Sequence, residues 1–125
     1  MECEDEYNEL TKTTERLHEL YYQQENAEFA FSNALSSAQN YLIATGLVRL
    51  TSASASEIVN SLEDMDHEGF VELHDAAASK VQIDAAVQAV EESYRDASKR
   101  YEECIKKQSK KQADELSEIE NRNFG

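Results

Sequence analysis

Apolar residues recur along this chain at intervals of three and four. Leu10, Leu17, Tyr21, Phe31, Leu35, Ala38 and Leu42 form one such series, with Thr14, Gln24 and Glu28 as its polar members. This is the a/d spacing of a coiled-coil seam. Leu20, Ala27, Ala30, Ala34 and Tyr41 broaden it on one side, as a packed helix requires. The series predicts a helix over residues 5–44, roughly 60 Å long at about 1.5 Å per residue. A second series runs through Leu73, Ala76, Lys80, Ile83, Val87, Val90, Tyr94, Ala97, Tyr101 and Cys104. It predicts another long helix over residues 66–121, capped by Asp66 and weakened in its first turn by Gly69. After Cys104 the pattern slips by one residue, to Ile105, Ser109, Gln112, Leu116 and Ile119, which predicts a local change of supercoil.

Residues 45–65 separate the two series. Thr45-Gly46 closes the first helix, since glycine is the usual residue just past a helix end. Leu47–Ser52 is short and apolar with no partner strand in the sequence, and reads as a bend or a continuation of helix. Ser54 and Glu57 have capping-box spacing, predicting a short helix from Ala55 to about Met65 that buries Ile58, Val59 and Leu62. From Phe31 to Leu62 the sole charges are Arg49 and Glu57, in a chain that is 30% charged overall. Such a neutral stretch is expected to be buried, with the charged arms folded back along each other from it. The expected fold is all-α: a single domain over residues 1–125, built as a long antiparallel helical hairpin with a short helix at the bend. Placing Leu42 near Phe70 sets a register in which facing residue numbers sum to about 112, within a turn or two.

Charge alters this picture in two ways. With 26 acidic and 12 basic side chains the net charge is −14, which argues against direct nucleic-acid binding because phosphates must be neutralised by Lys and Arg. The charges are also segregated. Residues 1–30 hold nine acids and two bases, whereas residues 95–111 hold seven bases (Arg95, Lys99, Arg100, Lys106, Lys107, Lys110, Lys111) and three acids. The register lays the basic segment 95–111 beside Glu2, Glu4, Asp5, Glu6 and Glu9, so intramolecular pairing that selects the antiparallel register is the expected role. Contact with an acidic partner or lipid headgroup is the alternative. The same register brings Cys3 near Cys104–Lys110. Two separate thiols, one at a fraying end and one in the seam, are expected, and a bridge is the alternative.

Candidate chemistry is sparse. Glu15-Arg-Leu-His18 has the Glu-x-x-His spacing of di-iron bundles, and Asp64-Met-Asp-His67 is a loose second copy. However, the seam at Thr14, Leu17 and Tyr21 turns Glu15 and His18 away from the core. His67 and His74 read as surface histidines, and Glu91-Glu92 and Glu102-Glu103 as solvated faces. The three glycines, Gly46, Gly69 and Gly125, are too dispersed for a phosphate loop. Ser52, Ser54 and Ser56 read as loop and capping serines, with phosphorylation at the helix start as the alternative. No catalytic, cofactor-binding or metal-binding residue is expected, and no cofactor. The N-terminal MECEDEYNEL lacks the charge and apolar pattern of a leader, and Tyr41–Leu50 is about half a bilayer span and contains Arg49. A cytoplasmic location without a membrane span is expected.

Leu10 to Leu42, LTKTTERLHELYYQQENAEFAFSNALSSAQNYL, resembles the first coiled-coil helix of the SH3-domain-binding Sab/parcas family. The matching positions are Leu10, Thr14, Glu15, Leu17, Glu25, Ala27, Phe31, Leu35, Ala38 and Leu42. Gln82–Ala85 and Ser93–Ala97 are similar to two further stretches of that family with gaps, while its Pro-Tyr-x-Glu-Ala-Arg turn is absent. Leu35–Tyr41 also resembles part of a helix of a V-ATPase assembly chaperone. The Sab/parcas resemblance implies a long antiparallel coiled coil that acts as a nucleotide exchange factor for a Rab GTPase and as a scaffold; no functional residues are carried over.

A lone hairpin leaves apolar residues such as Leu20, Ala27, Phe29 and Tyr41 on its surface, so self-association or a helical protein partner is expected. The expected function is a non-enzymatic coiled-coil interaction, assembly or scaffold subunit. Exchange or regulation of a small Rab-type GTPase is the alternative, and an acidic mimic of nucleic acid a third reading.

Overall fold

The computed structural model describes residues 3–63 and 70–124, with Glu63, Ala113 and residues 115–124 as helix backbone alone. Helix α1 spans Glu4–Ala44, a 3₁₀ helix spans Val48–Ser52, α2 spans Ala55–Glu63 and α3 spans Val71–Phe124. No strand occurs among the described residues, and α1 and α3 pack against each other as a helical hairpin. The expected cap at Asp66, the weak spot at Gly69 and the end of the short helix near Met65 lie outside the described residues. So does the side-chain placement of Leu116 and Ile119.

The chain divides into two compact units, residues 18–89 and residues 1–17 with 90–125, and both long helices run through each. The first unit contains the bend and most of the apolar core. Phe31, Leu42, Leu50, Ala53, Ala55, Ile58, Leu62, Phe70, Leu73 and Ala77 form one buried cluster, with Ala34, Leu35, Ala38, Leu47, Val59 and Val81 packed around it. Seven of those ten buried residues fall between Phe31 and Leu62, so the nearly uncharged stretch does supply the core.

The turn out of α1 has a specific backbone design. Gly46 adopts φ +80°, a left-handed conformation that costs a residue with a Cβ about 1–2 kcal/mol. Its N–H donates to the Ile43 carbonyl (3.1 Å) and the Leu47 N–H donates to the Leu42 carbonyl (2.7 Å). These two bonds make a Schellman motif, which satisfies carbonyls left over at the helix end. Leu47 is itself partly buried against the core cluster. The Thr45 hydroxyl donates to the Tyr41 carbonyl at 2.9 Å. Leu47–Ser52 resolves as a bend residue and a 3₁₀ helix that drives Leu50 into the core. Ser54 Oγ then accepts from the Glu57 N–H at 3.3 Å, the N-cap its spacing predicted, and α2 places Ile58 and Leu62 fully inside.

In both units the facing residues keep one antiparallel register. Tyr41 stacks on Phe70 and Gln24 meets Asp84 in the bend unit, while Tyr7 meets Tyr101 and Glu9 meets Arg100 in the other. The paired residue numbers sum to between 108 and 111, inside the expected range.

Individual seam positions differ from expectation. Tyr21 and Glu28 are exposed, and the adjacent Leu20 and Ala27 turn inward, Ala27 to 8% exposure. Burying an unpaired Glu28 carboxylate would cost several kcal/mol, roughly, whereas alanine permits close helix approach. On α3 Ala77 is fully buried while Ala76 is half-buried, and Tyr94 is exposed. Past Cys104, Ile105 of the slipped series is half-buried, as the slip expected. Gln108 continues the earlier register as a half-buried residue, and Ser109 and Gln112 are exposed.

A Cβ at Gly46 would meet nothing within 4 Å, so substitution is opposed by backbone conformation alone. Gly46→Ala should therefore lower stability by about 1 kcal/mol. Urea unfolding followed by circular dichroism would measure it, and an unchanged midpoint would show that the left-handed turn is not required.

Candidate interaction surfaces

The residues that bear chemistry gather into a polar layer, a covalent clasp and two exposed faces. The polar layer lies in the bend unit. Gln24 Nε2 donates to Asp84 Oδ1 at 2.9 Å, and Lys80 Nζ donates to Asp84 Oδ2 at 2.8 Å. Burial would raise the Asp84 carboxyl, but the Lys80 and Gln24 hydrogen bonds and the Lys80 charge outweigh it and hold the group below its ordinary value. Gln24 and Lys80 were both expected in the seam. Asp84, which joins them, was not, although its Lys80–Asp84 spacing is that of a helical ion pair. The Gln24–Asp84 hydrogen bond joins α1 to α3 and so favours this register, because a slip breaks it.

The clasp lies in the other unit. Cys3 and Cys104 form a disulfide with a Cα–Cα separation of 6.0 Å, so the expectation of two separate thiols is corrected. Cys3 is fully buried, with Gln108 Oε1 3.8 Å from its sulfur. In the same unit, Tyr7 and Tyr101 pack with ring centroids 5.8 Å apart, and Leu17, Val90 and Ala97 are buried. The apolar seam here is thin, and Glu6 Oε2 is buried without a hydrogen-bond partner among the described residues. The bridge closes a sequence separation of 101 residues. It therefore supplies the constraint that the sparse apolar packing of this unit lacks.

The basic segment 95–111 is mostly solvent-facing. Arg100 Nη1 donates to Glu9 Oε1 at 3.3 Å, which realises the expected pairing with the acidic arm once. Lys106, Lys107 and Lys110 are exposed and make no ion pair among the described residues, and Glu4 and Asp5 are exposed as well. Both long helices of this unit are charged on their outer faces, and the exposed Glu9–Arg100 pair contributes under about 1 kcal/mol.

The second face lies on α1 within the bend unit. Tyr22 is 67% exposed and Phe29 69% exposed. They are seven residues apart, directly opposite the buried Ala27 and Phe31 side of the helix. Ile43 and Tyr41 are also exposed near the helix end. A shallow groove of about 460 Å³ opens beside Tyr41, lined also by Ala34, Ala38, Phe70 and Val71.

The remaining motifs form no reactive grouping. Glu15 and His18 are exposed on the outer side of α1, as the seam predicted. Asp64 and His67 lie outside the described residues. No grouping of three or more His, Cys, Asp or Glu suited to a metal ion occurs among the described residues. His74 is half-buried with Nδ1 3.5 Å from Asp75 Oδ1, and Ser52 and Ser56 are exposed. No helix among the described residues is long and apolar enough to cross a membrane.

No family model, curated protein or solved structure matches this chain. Eight of the ten positions that carry the Sab/parcas resemblance are buried or half-buried in the seam; Glu15 and Glu25 are the exposed two. Those are positions that any long helical hairpin fills with Leu, Ala, Phe and Thr, so the likeness speaks to packing.

Two predictions follow from this geometry. A depressed carboxyl contributes stability that is present above its ordinary pKa and is lost as the pH falls through the lowered value. The difference in urea midpoint between the native chain and Asp84→Asn should accordingly be present at neutral pH and vanish below the ordinary carboxylate range; an equal difference at every pH would dismiss the ionised Asp84 layer. Reduction, or Cys3→Ser, should lower stability by about 2–5 kcal/mol. It should also speed amide exchange in residues 5–17 and 92–108 more than in the bend core. A midpoint indifferent to reductant would mean the bridge constrains nothing.

Proposed function

We propose that this chain is a non-enzymatic helical-hairpin subunit that binds another protein through its exposed helix faces. The observation that carries this reading is the exposure of Tyr22, Phe29, Tyr41, Ile43, Val48 and Val71, all 49% exposed or more, around the best-packed part of the molecule. Large apolar side chains held outward by a firm core are costly to leave in water and are the usual material of protein interfaces. Tyr41 also packs against Phe70, but Tyr22 and Phe29 lie on the side of α1 opposite the core, so their exposure favours a binding role over a packing role.

The disulfide bears on where this takes place. Bridges such as Cys3–Cys104 persist in oxidising compartments, and this supports a working place there over the cytoplasm expected from the sequence. Acceleration of nucleotide exchange on a Rab-type GTPase rests on the α1 resemblance, whose positions are mainly interior, and so ranks second.

The test is retention of partner proteins from the native source by the full-length oxidised chain, compared with a variant carrying Phe29→Ser, Tyr41→Ser and Val71→Ser. Specific partners should be retained by the native chain and lost from the variant. Identical retained sets, or accelerated nucleotide release from a Rab panel by both proteins, would overturn the surface-binding reading.

A further inference from the structure

The charge around Tyr22 and Phe29 identifies the chemistry of what covers them. Between Arg16 and Arg49 the chain has no Lys or Arg at all. The bend unit as a whole, residues 18–89, carries eleven Asp and Glu against two Lys and Arg. One of those two bases, Lys80, is already committed to Asp84 at 2.8 Å. Glu19 and Glu25 are exposed and share the outer face of α1 with Tyr22 and Phe29. The two rings stand about 10.5 Å apart along the helix, two turns, which matches the i, i+7 repeat of an apposed helix.

We infer that this face of α1 docks a basic amphipathic helix from a partner protein. The inference rests on the interaction reading above and specifies its partner. Apolar side chains of the partner would cover Tyr22 and Phe29, while its Lys and Arg side chains would pair with Glu19 and Glu25. Aromatic faces flanked by carboxylates are favourable seats for such cations, since the ring quadrupole and the carboxylate attract the same charge. A second copy of this chain fits less well. Docked through this same face, it would set Glu19 and Glu25 against their own counterparts with no Lys or Arg between Arg16 and Arg49 to receive them. A membrane surface with anionic headgroups is disfavoured by the same argument.

The probes are two labelled 18-residue peptides, an amphipathic Leu/Lys helix and its Leu/Glu counterpart, titrated with the full oxidised chain by fluorescence anisotropy. The Leu/Lys peptide should bind saturably and the Leu/Glu peptide should not. Tyr22→Ser with Phe29→Ser should weaken binding about tenfold or more, as should Glu19→Gln with Glu25→Gln, while Tyr94→Ser on α3 should change it less than twofold. All five side chains are exposed, so unchanged thermal unfolding of each variant confirms that folding is intact. Failure of the Leu/Lys peptide to bind, equal binding of both peptides, or full binding by the Tyr22/Phe29 variant would overturn the basic-helix assignment. So would light scattering that shows a dimer abolished by the Tyr22/Phe29 substitutions, because the occupant would then be a second copy. Loss of this assignment while partner retention still depends on Phe29, Tyr41 and Val71 would leave the general interaction function standing.

Discussion

Two helices in contact can hide just one stripe of each, and everything else in this molecule depends on that constraint. A helix in a larger bundle packs on several sides, whereas α1 and α3 leave most of their circumference in water. The seam must therefore supply stability and specify register, and it does so unequally along its length. Around the bend, the 3₁₀ helix and α2 fold over the end of the hairpin and add Leu50, Ile58 and Leu62 to it. Three further apolar anchors turn a two-sided contact into a closed cluster. This is why the neutral residues are concentrated there.

Away from the bend the seam is thinner, and other interactions take over. The Gln24–Asp84–Lys80 layer contributes little apolar burial but favours this register, since a slip would break the Gln24–Asp84 hydrogen bond between the helices while Lys80 stays paired with Asp84 on α3. In the other unit, the Cys3–Cys104 bridge ties together helices whose mutual packing relies on Leu17, Val90, Ala97 and a tyrosine pair. A cross-link restricts the unfolded chain more when the loop it closes is long, and this one spans most of the sequence. The bend unit is held by apolar clustering and a polar layer, and the other unit by covalent closure.

The same constraint produces the candidate interface. A side chain on the outer face of α1 has no intramolecular surface to bury against, so Tyr22 and Phe29 are exposed by architecture. Their surroundings carry acid without base, since no Lys or Arg lies between Arg16 and Arg49. The basic face of α3 lies in the other unit, where Arg100 reaches Glu9 and the neighbouring lysines remain in solvent.

The sequence by itself determined the helix periods, the Gly46 turn, the Ser54 cap, the location of the core in Phe31–Leu62 and the antiparallel register to within a turn. Each of these follows from local chemistry: apolar spacing, a residue free to adopt positive φ, a hydroxyl three positions before an amide. Only the tertiary structure decided which of two adjacent residues faces inward, as with Leu20 over Tyr21, Ala27 over Glu28 and Ala77 over Ala76. Neighbours on a helix are about 100° apart, close enough that both satisfy a three-four pattern until an opposing side chain selects one. The disulfide was hidden for the same reason. The pattern located Cys3 to within a turn or two of Cys104, and a bridge requires Cα atoms within about 7 Å, finer than any periodicity can resolve. The role of Asp84 likewise emerged only when α1 placed Gln24 against it, because a hydrogen bond between residues sixty positions apart leaves no trace in local spacing.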